Sequence, residues 1–273
     1  MYAKFGKYFK SFCLILSLVL FCGCTQTLTA ESIVAFPQST SENYFKKTQK
    51  IVLEVYYESG AEPFYGTTAS GRQLWEVVEQ NLTSIMQYRT VAPSLEVPKS
   101  IASMTMIASQ SKNSWLGTDI LSLSGQYRQG DSSTDTSYFY IYFLKGYYNN
   151  GSGPQSSVLG VSLNGTPIIA IFKDAVKASA ANPNGPVAKF VEQSTLVHEL
   201  GHALGFVNNG VPMVGTNHQD SAHGAHSTNS NCVMYWLNEG GSDLVQFVQN
   251  YITSSSFSMW GTEVLGDAQA YSQ

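Results

Sequence analysis

The 273-residue sequence has few charged residues, and positive charge is especially scarce. Lysine and arginine number 15 against 19 acidic residues, charged side chains make up 12% of the chain, and the formal net charge is -4. A nucleic-acid-binding protein needs a basic surface to neutralise phosphates, so nucleic acid is not an expected partner. The 43% content of hydrophobic residues is enough for the core of a globular protein.

Cysteine is scarce beyond the first 24 residues, which contain three of the four cysteines; the fourth is Cys232. The same N-terminal region carries three lysines followed by an apolar run over residues 11–21. The run is about half of the ~20 residues that a membrane-spanning helix needs, and no later stretch approaches that length. Residues 1–23 are therefore predicted to be an export signal, and the exported chain is expected to fold without an internal disulfide.

The end of the apolar run, Leu20-Phe-Cys-Gly-Cys24, resembles the lipoprotein box of bacteria. The resemblance implies cleavage before Cys24, lipid on that cysteine, and an exported protein anchored to a membrane of the bacterial cell envelope. Acyl chains contribute ~0.8 kcal/mol per buried CH₂, so several of them would hold the protein firmly. The alternative is an ordinary secretory signal cleaved near Ala30. Residues 24–48, rich in Ser, Thr, Gln and Lys, are predicted to be a flexible tether.

Hydrophobic patterning predicts an α+β domain over residues 49–273. Strands are expected at 50–57, 101–109, 120–127, 138–144, 158–163 and 168–172. Helices are expected over 71–89, 187–206 and 242–251, the second with Pro186 at its start. The aromatic run over 138–144 is interpreted as a buried strand and not as a binding surface, and residues 207–231 as a long polar loop.

All five histidines of the chain lie between His198 and His226. Two of them belong to the motif His198-Glu-Leu-Gly-His202, on the long predicted helix. Residues at i and i+4 of a helix share one face with Cβ atoms ~5–6 Å apart, so both imidazoles can bind one zinc ion. Glu199 projects beside the metal, which is the position of a general base. The motif therefore predicts a catalytic zinc site.

The motif extends to His198-Glu-Leu-Gly-His-Ala-Leu-Gly205. A glycine at this position can adopt a positive φ, end the helix and turn the chain back toward the metal. The pattern resembles the metzincin metallopeptidases, in which H-E-x-x-H-x-x-G-x-x-H/D precedes a methionine turn below the zinc. Asn208 stands where that family has its third ligand, and a neutral amide oxygen is a poor zinc ligand. The third ligand is therefore expected elsewhere.

The stretch from His226 to Met234 resembles the H-C-x-N-x-x-C-V-M stretch of archaemetzincins. The resemblance implies that His226 is the third zinc ligand and that Met234 forms the methionine turn. His223 and His218 are the alternative third ligands, and Asp220 is a candidate for orienting one of these rings.

The chain also departs from the archaemetzincin pattern. That family binds a second, structural zinc with four cysteines, whereas Ser227 stands at the first of these positions and only Cys232 is left. One catalytic Zn²⁺ ion is therefore expected, without a second one. A gluzincin arrangement, with Glu239 as a ligand, would leave Gly205 and Met234 unexplained.

The combined prediction is a monomeric, lipid-anchored zinc endopeptidase that cleaves protein or peptide substrates with Glu199 as the general base. The resemblance implies a metzincin-like fold, with a mixed sheet and helices in residues 49–205. A small, mostly irregular subdomain, residues 206–273, would end in a helix. An edge strand, with 158–163 as the candidate, would bind the substrate, and Tyr235 and Trp236 would shape its pocket.

Two other functions remain open. One is an inactive surface lipoprotein that keeps the fold and serves as a binding module; the intact Glu199 argues against it, because a structural metal site needs no base. The other is a zinc enzyme that acts on a different amide or on an ester.

Overall fold

A computed structural model describes residues 25–27, 36–68, 71–239, 241–252 and 258–273 of the chain. The predicted export signal, the lipidation residue Cys24 and the alternative cleavage site near Ala30 lie outside the described residues. Export and lipid attachment therefore stay predictions. Among the described residues, no helix combines the length and the apolar character needed to cross a membrane.

The described residues form a mixed α/β structure with two β-sheets. The strands are β1 (Thr25–Thr27), β2 (Lys50–Glu58), β3 (Ser94–Glu96), β4 (Thr105–Ile107), β5 (Ser114–Trp115), β6 (Thr136–Leu144), β7 (Tyr147–Asn149), β8 (Pro154–Gln155), β9 (Gly160–Asn164) and β10 (Ile168–Phe172). The α-helices are α1 (Glu76–Met86), α2 (Gly117–Tyr127), α3 (Lys173–Ala178), α4 (Pro186–Leu204), α5 (Gly241–Ile252) and α6 (Thr262–Tyr271). A π-helical turn covers Asn43–Lys47, and 3₁₀ turns cover Ile101–Ser103 and Trp236–Glu239.

The main sheet has the strand order β1-β9-β10-β6-β2-β3, and β4 pairs with β2 further along that strand. Strands β10, β6, β2, β3 and β4 are parallel, whereas β9 is antiparallel to β10 and β1 is parallel to β9. A smaller sheet contains β5, β7 and β8. Helix α4 packs against β9 and β10, so the histidine motif lies beside the antiparallel strand β9.

The aromatic run over 138–144 lies in β6, at the centre of the main sheet. This strand pairs with β2 on one side and with β10 on the other. Every side chain from Phe139 to Leu144 is fully buried. Because successive side chains of a strand point to opposite faces, both faces of the sheet are covered here. The prediction of a buried strand is confirmed.

Two predicted strands are wrong in whole or in part. Residues 120–127 belong to helix α2, where Ile120 and Leu123 are buried at helical spacing. The Asp119 carboxylate accepts the backbone N–H of Leu116 at 3.0 Å and so caps the start of this helix. Residues 101–109 contain a 3₁₀ turn and only a three-residue strand, because the Ser103 hydroxyl donates back to a local carbonyl.

The predicted tether over 24–48 is wrong for its C-terminal part, which packs on the domain. Phe36, Tyr44 and Phe45 are buried. The ring centroid of Tyr44 lies 4.9 Å from that of Phe139, and the centroid of Phe45 lies 5.5 Å from that of Phe206. Burial of these aromatic rings outweighs the polar composition of the segment.

Candidate metal centre

Helix α4 carries the first part of the centre, and its two ends match the prediction. Pro186 occupies the first turn, where a missing N–H costs nothing. At the other end, Gly205 has φ 96° and donates its N–H to the carbonyls of Gly201 and His202 at 3.1 and 3.0 Å. This left-handed cap ends the helix, as predicted, and begins the loop that returns with His226.

Three histidine rings meet at one point in the interior. His198, His202 and His226 are 1%, 3% and 1% exposed. The Nε2 atom of His202 lies 3.1 Å from the Nε2 atoms of both His198 and His226. One ligand atom from each residue lies within 4.8 Å of the others, which is the arrangement of a group that could hold a metal ion. The structure thus brings together the three histidines that the sequence favours.

Backbone carbonyls fix the protonation of two of these rings. His198 Nδ1 lies 2.7 Å from the carbonyl oxygen of Val233, and His226 Nδ1 lies 2.5 Å from that of His223. A carbonyl can only accept, so each Nδ1 carries the hydrogen and donates it. In a neutral ring of this tautomer the lone pair is on Nε2, the atom that faces the other rings. Metal-binding histidines are oriented in this way in proteins.

The electrostatic surroundings keep His202 neutral. Burial, followed by repulsion from His226 and His198, holds the pKa of His202 well below its usual range. The ring therefore stays unprotonated at neutral pH, and the neutral imidazole is the form that binds a metal.

The donor set fits a single zinc ion. In a tetrahedral site with Zn–N bonds of ~2.0–2.1 Å, ligand nitrogens lie about 3.3 Å apart, close to the 3.1 Å that separates the His202 Nε2 from each of the other two Nε2 atoms. The His202 Nε2 can carry only one hydrogen, so it can donate to only one of its two neighbours. A shared cation satisfies all three lone pairs, and imidazole is a preferred ligand of zinc.

Glu199, the predicted base, is 1% exposed and lies between α4 and β9. A Cβ atom added to Gly160 of β9 would lie 3.1 Å from the Glu199 Cγ and 2.8 Å from the Thr195 Cγ2. The missing side chain at Gly160 therefore allows the strand to approach the helix closely at the position of Glu199.

Met234 packs directly against the motif from the other side. It is fully buried, and a Cβ atom added to Gly201 would lie 2.3 Å from its Sδ atom. The thioether therefore contacts the backbone of α4 between His198 and His202, and the role of Met234 as a methionine turn stays a prediction.

The other two histidines have different partners. His218 Nε2 lies 2.8 Å from an oxygen of the buried Asp267 of α6. His223 Nδ1 lies 2.7 Å from the Asp220 carboxylate, and its ring stacks on Trp236 with the centroids 3.8 Å apart. Neither residue belongs to the three-histidine group. Asp220 thus orients the ring of His223, as one of the sequence alternatives proposes.

Three other positions named by the sequence analysis lie outside the three-histidine group. Asn208 donates its side-chain amide to Gln219 at 3.3 Å and is outside the histidine group. Tyr235 and Trp236 are partly buried and follow Met234 directly, and their role toward a substrate stays a prediction.

Two contributions to the centre were missed by the sequence reasoning. The Ser41 hydroxyl donates to the carbonyl of Leu204 at 2.7 Å and so binds the last turn of α4. The Val233 carbonyl orients His198. A backbone carbonyl leaves no signature in a sequence, and Ser41 is separated from its partner by more than half of the chain.

No protein-family model matches this chain, and no curated protein matches it significantly. Among solved structures, it is similar to a zinc-dependent peptidase from Methanocorpusculum labreanum (strain Z), at 11% identity and a TM-score of 0.38, covering 70% of this chain and 93% of that one.

Proposed function

We propose that this chain is a zinc-dependent endopeptidase of the metzincin type, with His198, His202 and His226 as the ligands of one catalytic ion. The convergence of three buried Nε2 atoms supports the proposal. A helix supplies two of them and a distant loop the third, and carbonyls hold two of the rings by their Nδ1 atoms.

Zinc in this centre would lower the pKa of a bound water toward ~7 and polarise the carbonyl of the scissile peptide bond. Glu199 would accept the proton of the attacking water on its carboxylate and then donate it to the leaving amine. Its position next to the first histidine on α4, with the side chain buried, excludes competing solvent from that carboxylate.

The proposed substrate-binding strand is β9, which includes most of the predicted stretch 158–163. Its Gly160 contacts the helix at Glu199, so a peptide lying along β9 would pass the base. Among the described residues, β1 lies outside β9 and pairs with Ser162–Asn164. A peptide that adds to this edge over its full length would therefore have to replace β1.

The decisive experiment compares wild-type protein with Glu199→Gln. Zinc content is measured on the purified proteins, and cleavage of a mixed peptide library is followed by mass spectrometry. Glu199→Gln should keep the zinc of the wild type and lose ~10²–10⁴-fold in cleavage rate, the contribution of a positioned base. Glu79→Gln, which removes a carboxylate of α1, is the control and should cleave normally. Unchanged turnover in Glu199→Gln would overturn the assignment of the base.

A second comparison tests the third ligand. His226→Ala should lose most of its bound zinc, because it removes one of three Nε2 donors. His223→Ala removes a partly exposed ring that binds Asp220 and should keep the zinc. Zinc loss in His223→Ala with retention in His226→Ala would show that the ligand set is wrong. A wild-type protein that binds no zinc would overturn the proposed function itself.

A further inference from the structure

A carboxylate in the first turn of α6 is bound by the segment that carries the third histidine. Ser227 donates its hydroxyl to the Glu263 Oε1 at 3.1 Å. The side-chain amide of Asn229 donates to both carboxylate oxygens, at 3.1 and 2.9 Å. Charge-assisted hydrogen bonds of this kind are stronger than those between neutral groups. Glu263 thus holds two residues of the segment 226–234 at once.

This segment provides two parts of the metal centre. His226, its first residue, supplies a ring nitrogen, and Ser227 is the next residue along the chain. Val233, near its end, supplies the carbonyl that accepts from His198 Nδ1 at 2.7 Å. A shift of the segment would therefore disturb the orientation of two ligands and not of His226 alone.

Internal hydrogen bonds connect the two ends and the middle of the segment. The N–H of Ser227 donates to the carbonyl of Met234 at 2.7 Å, and the N–H of Cys232 donates to that of Asn229 at 3.0 Å. Cys232 is fully buried, and burial, together with the nearby Glu263 charge, raises the pKa of its thiol to about 12. The thiol therefore stays protonated and contributes no negative charge to this cluster.

The fold of α6 explains why a carboxylate is stable at this place. Gly261 is the N-cap of the helix, and a Cβ atom there would lie 2.2 and 2.4 Å from the two Glu263 oxygens. The absent side chain lets the carboxylate fold back over the helix N-terminus. The helix dipole stabilises negative charge at that end.

We propose that Glu263 is a positioning residue for the metal centre, which holds the segment 226–234 so that His226 and the Val233 carbonyl are aligned for metal binding. The inference rests on the proposed function, because it assumes that the three histidines bind a metal. Loss of outer partners of metal ligands typically costs 10–100-fold in metal affinity.

Helix α6 offers a matched control in Asp267. Its carboxylate accepts from the backbone N–H of Val214 at 2.7 Å and contacts His218 Nε2 at 2.8 Å. It therefore binds an earlier part of the same long loop, outside the segment 226–234. Asp267→Asn changes one charge on the same helix, next to the same loop, without touching the residues that Glu263 holds.

The test uses the full chain, stripped of metal and titrated with Co²⁺, whose visible absorption reports the number and geometry of its ligands. Glu263→Gln retains the size of the side chain but places an amide NH₂ opposite the donors of Asn229. We expect its Co²⁺ affinity to fall by about 10–100-fold and its absorption bands to change. Asp267→Asn should keep the wild-type spectrum. Thermal unfolding of the metal-free proteins checks that all of them are folded.

Ser227→Ala is the second variant, in case Glu263→Gln fails to fold. It removes one donor to the carboxylate with almost no change in volume and should shift Co²⁺ affinity in the same direction. The inference would be overturned if a folded Glu263→Gln kept the wild-type affinity and spectrum, or if Glu263→Gln and Asp267→Asn lost affinity equally. Tight Co²⁺ binding by all variants would overturn the role of Glu263 but leave the proposed function intact. A wild-type protein that binds no Co²⁺ would overturn the proposed function as well.

Discussion

Gly201 is the residue that allows the two helical histidines and Met234 to occupy one small volume. It lies between His198 and His202 on α4, and the space of its missing side chain is filled by the Met234 thioether. The Cζ3 atom of Trp260 lies 3.1 Å from the same added Cβ position. Any side chain at 201 must therefore displace buried groups in direct contact with the metal centre.

Gly201→Ala is accordingly expected to destabilise the protein by about 1–3 kcal/mol, the usual cost of overpacking. In an open helix the same change stabilises by roughly 0.5–1 kcal/mol. Gly125→Ala is the control, because Gly125 is an exposed residue of α2 whose added Cβ would have no neighbour within 4 Å. Urea unfolding of the metal-free proteins measures both effects. A more stable Gly201→Ala would mean that Met234 moves aside freely, contrary to this packing.

At this scale, the sequence predicts the three histidines whose rings meet in the interior. Histidine and glutamate side chains can bind metal or protons, so the spacing of His198, Glu199, His202 and His226 is informative. Gly201 is an unspecified position of the motif, and the requirement for glycine arises only from the packing of Met234. Glu263 was not predicted either, because its partners are more than thirty residues away and its residue type is ordinary on a helix surface.

The elements that could be predicted are those with a long and regular pattern. Helix α4 was recognised by its apolar spacing together with Pro186 and Gly205, and β6 by its unbroken aromatic run. The sequence pattern predicts a strand where helix α2 forms, because the apolar run is short enough for either structure. The deciding interaction is the cap formed by Asp119, which a hydrophobic pattern does not register.

A buried ion pair helps to position α4 on the sheet. The sequence pattern does not predict this ion pair. Lys173 of α3 and Glu192 of α4 are both fully buried and bonded to each other. Glu192 also accepts the backbone N–H of Phe64 at 2.7 Å. These contacts connect the N-terminal half of α4 to the residue that follows β10 and to a distant loop. Charged residues on a helix are ordinarily read as a solvated face, so the sequence pattern points away from this contact.

For the whole molecule, the histidine centre connects two distant parts of the chain. Helix α4 packs on the main sheet, whereas His226 belongs to a segment tied to α6 through Glu263. Three buried histidines each place a ligand atom within 4.8 Å of the others. A metal bound there should therefore contribute to the stability of the entire fold.

Removal of the metal by a chelator is expected to lower the midpoint of thermal unfolding. A ligand at about 1,000 times its Kd stabilises by about 4 kcal/mol, and each kcal/mol shifts the midpoint of a domain of this size by about 2–4 °C, so the expected decrease is roughly 8–16 °C. Differential scanning calorimetry with excess zinc and with chelator measures it. His226→Ala, which retains two of the three donors, should show a much smaller difference. Equal midpoints of the wild-type protein in both solutions would show that no metal bridges α4 and the segment 226–234.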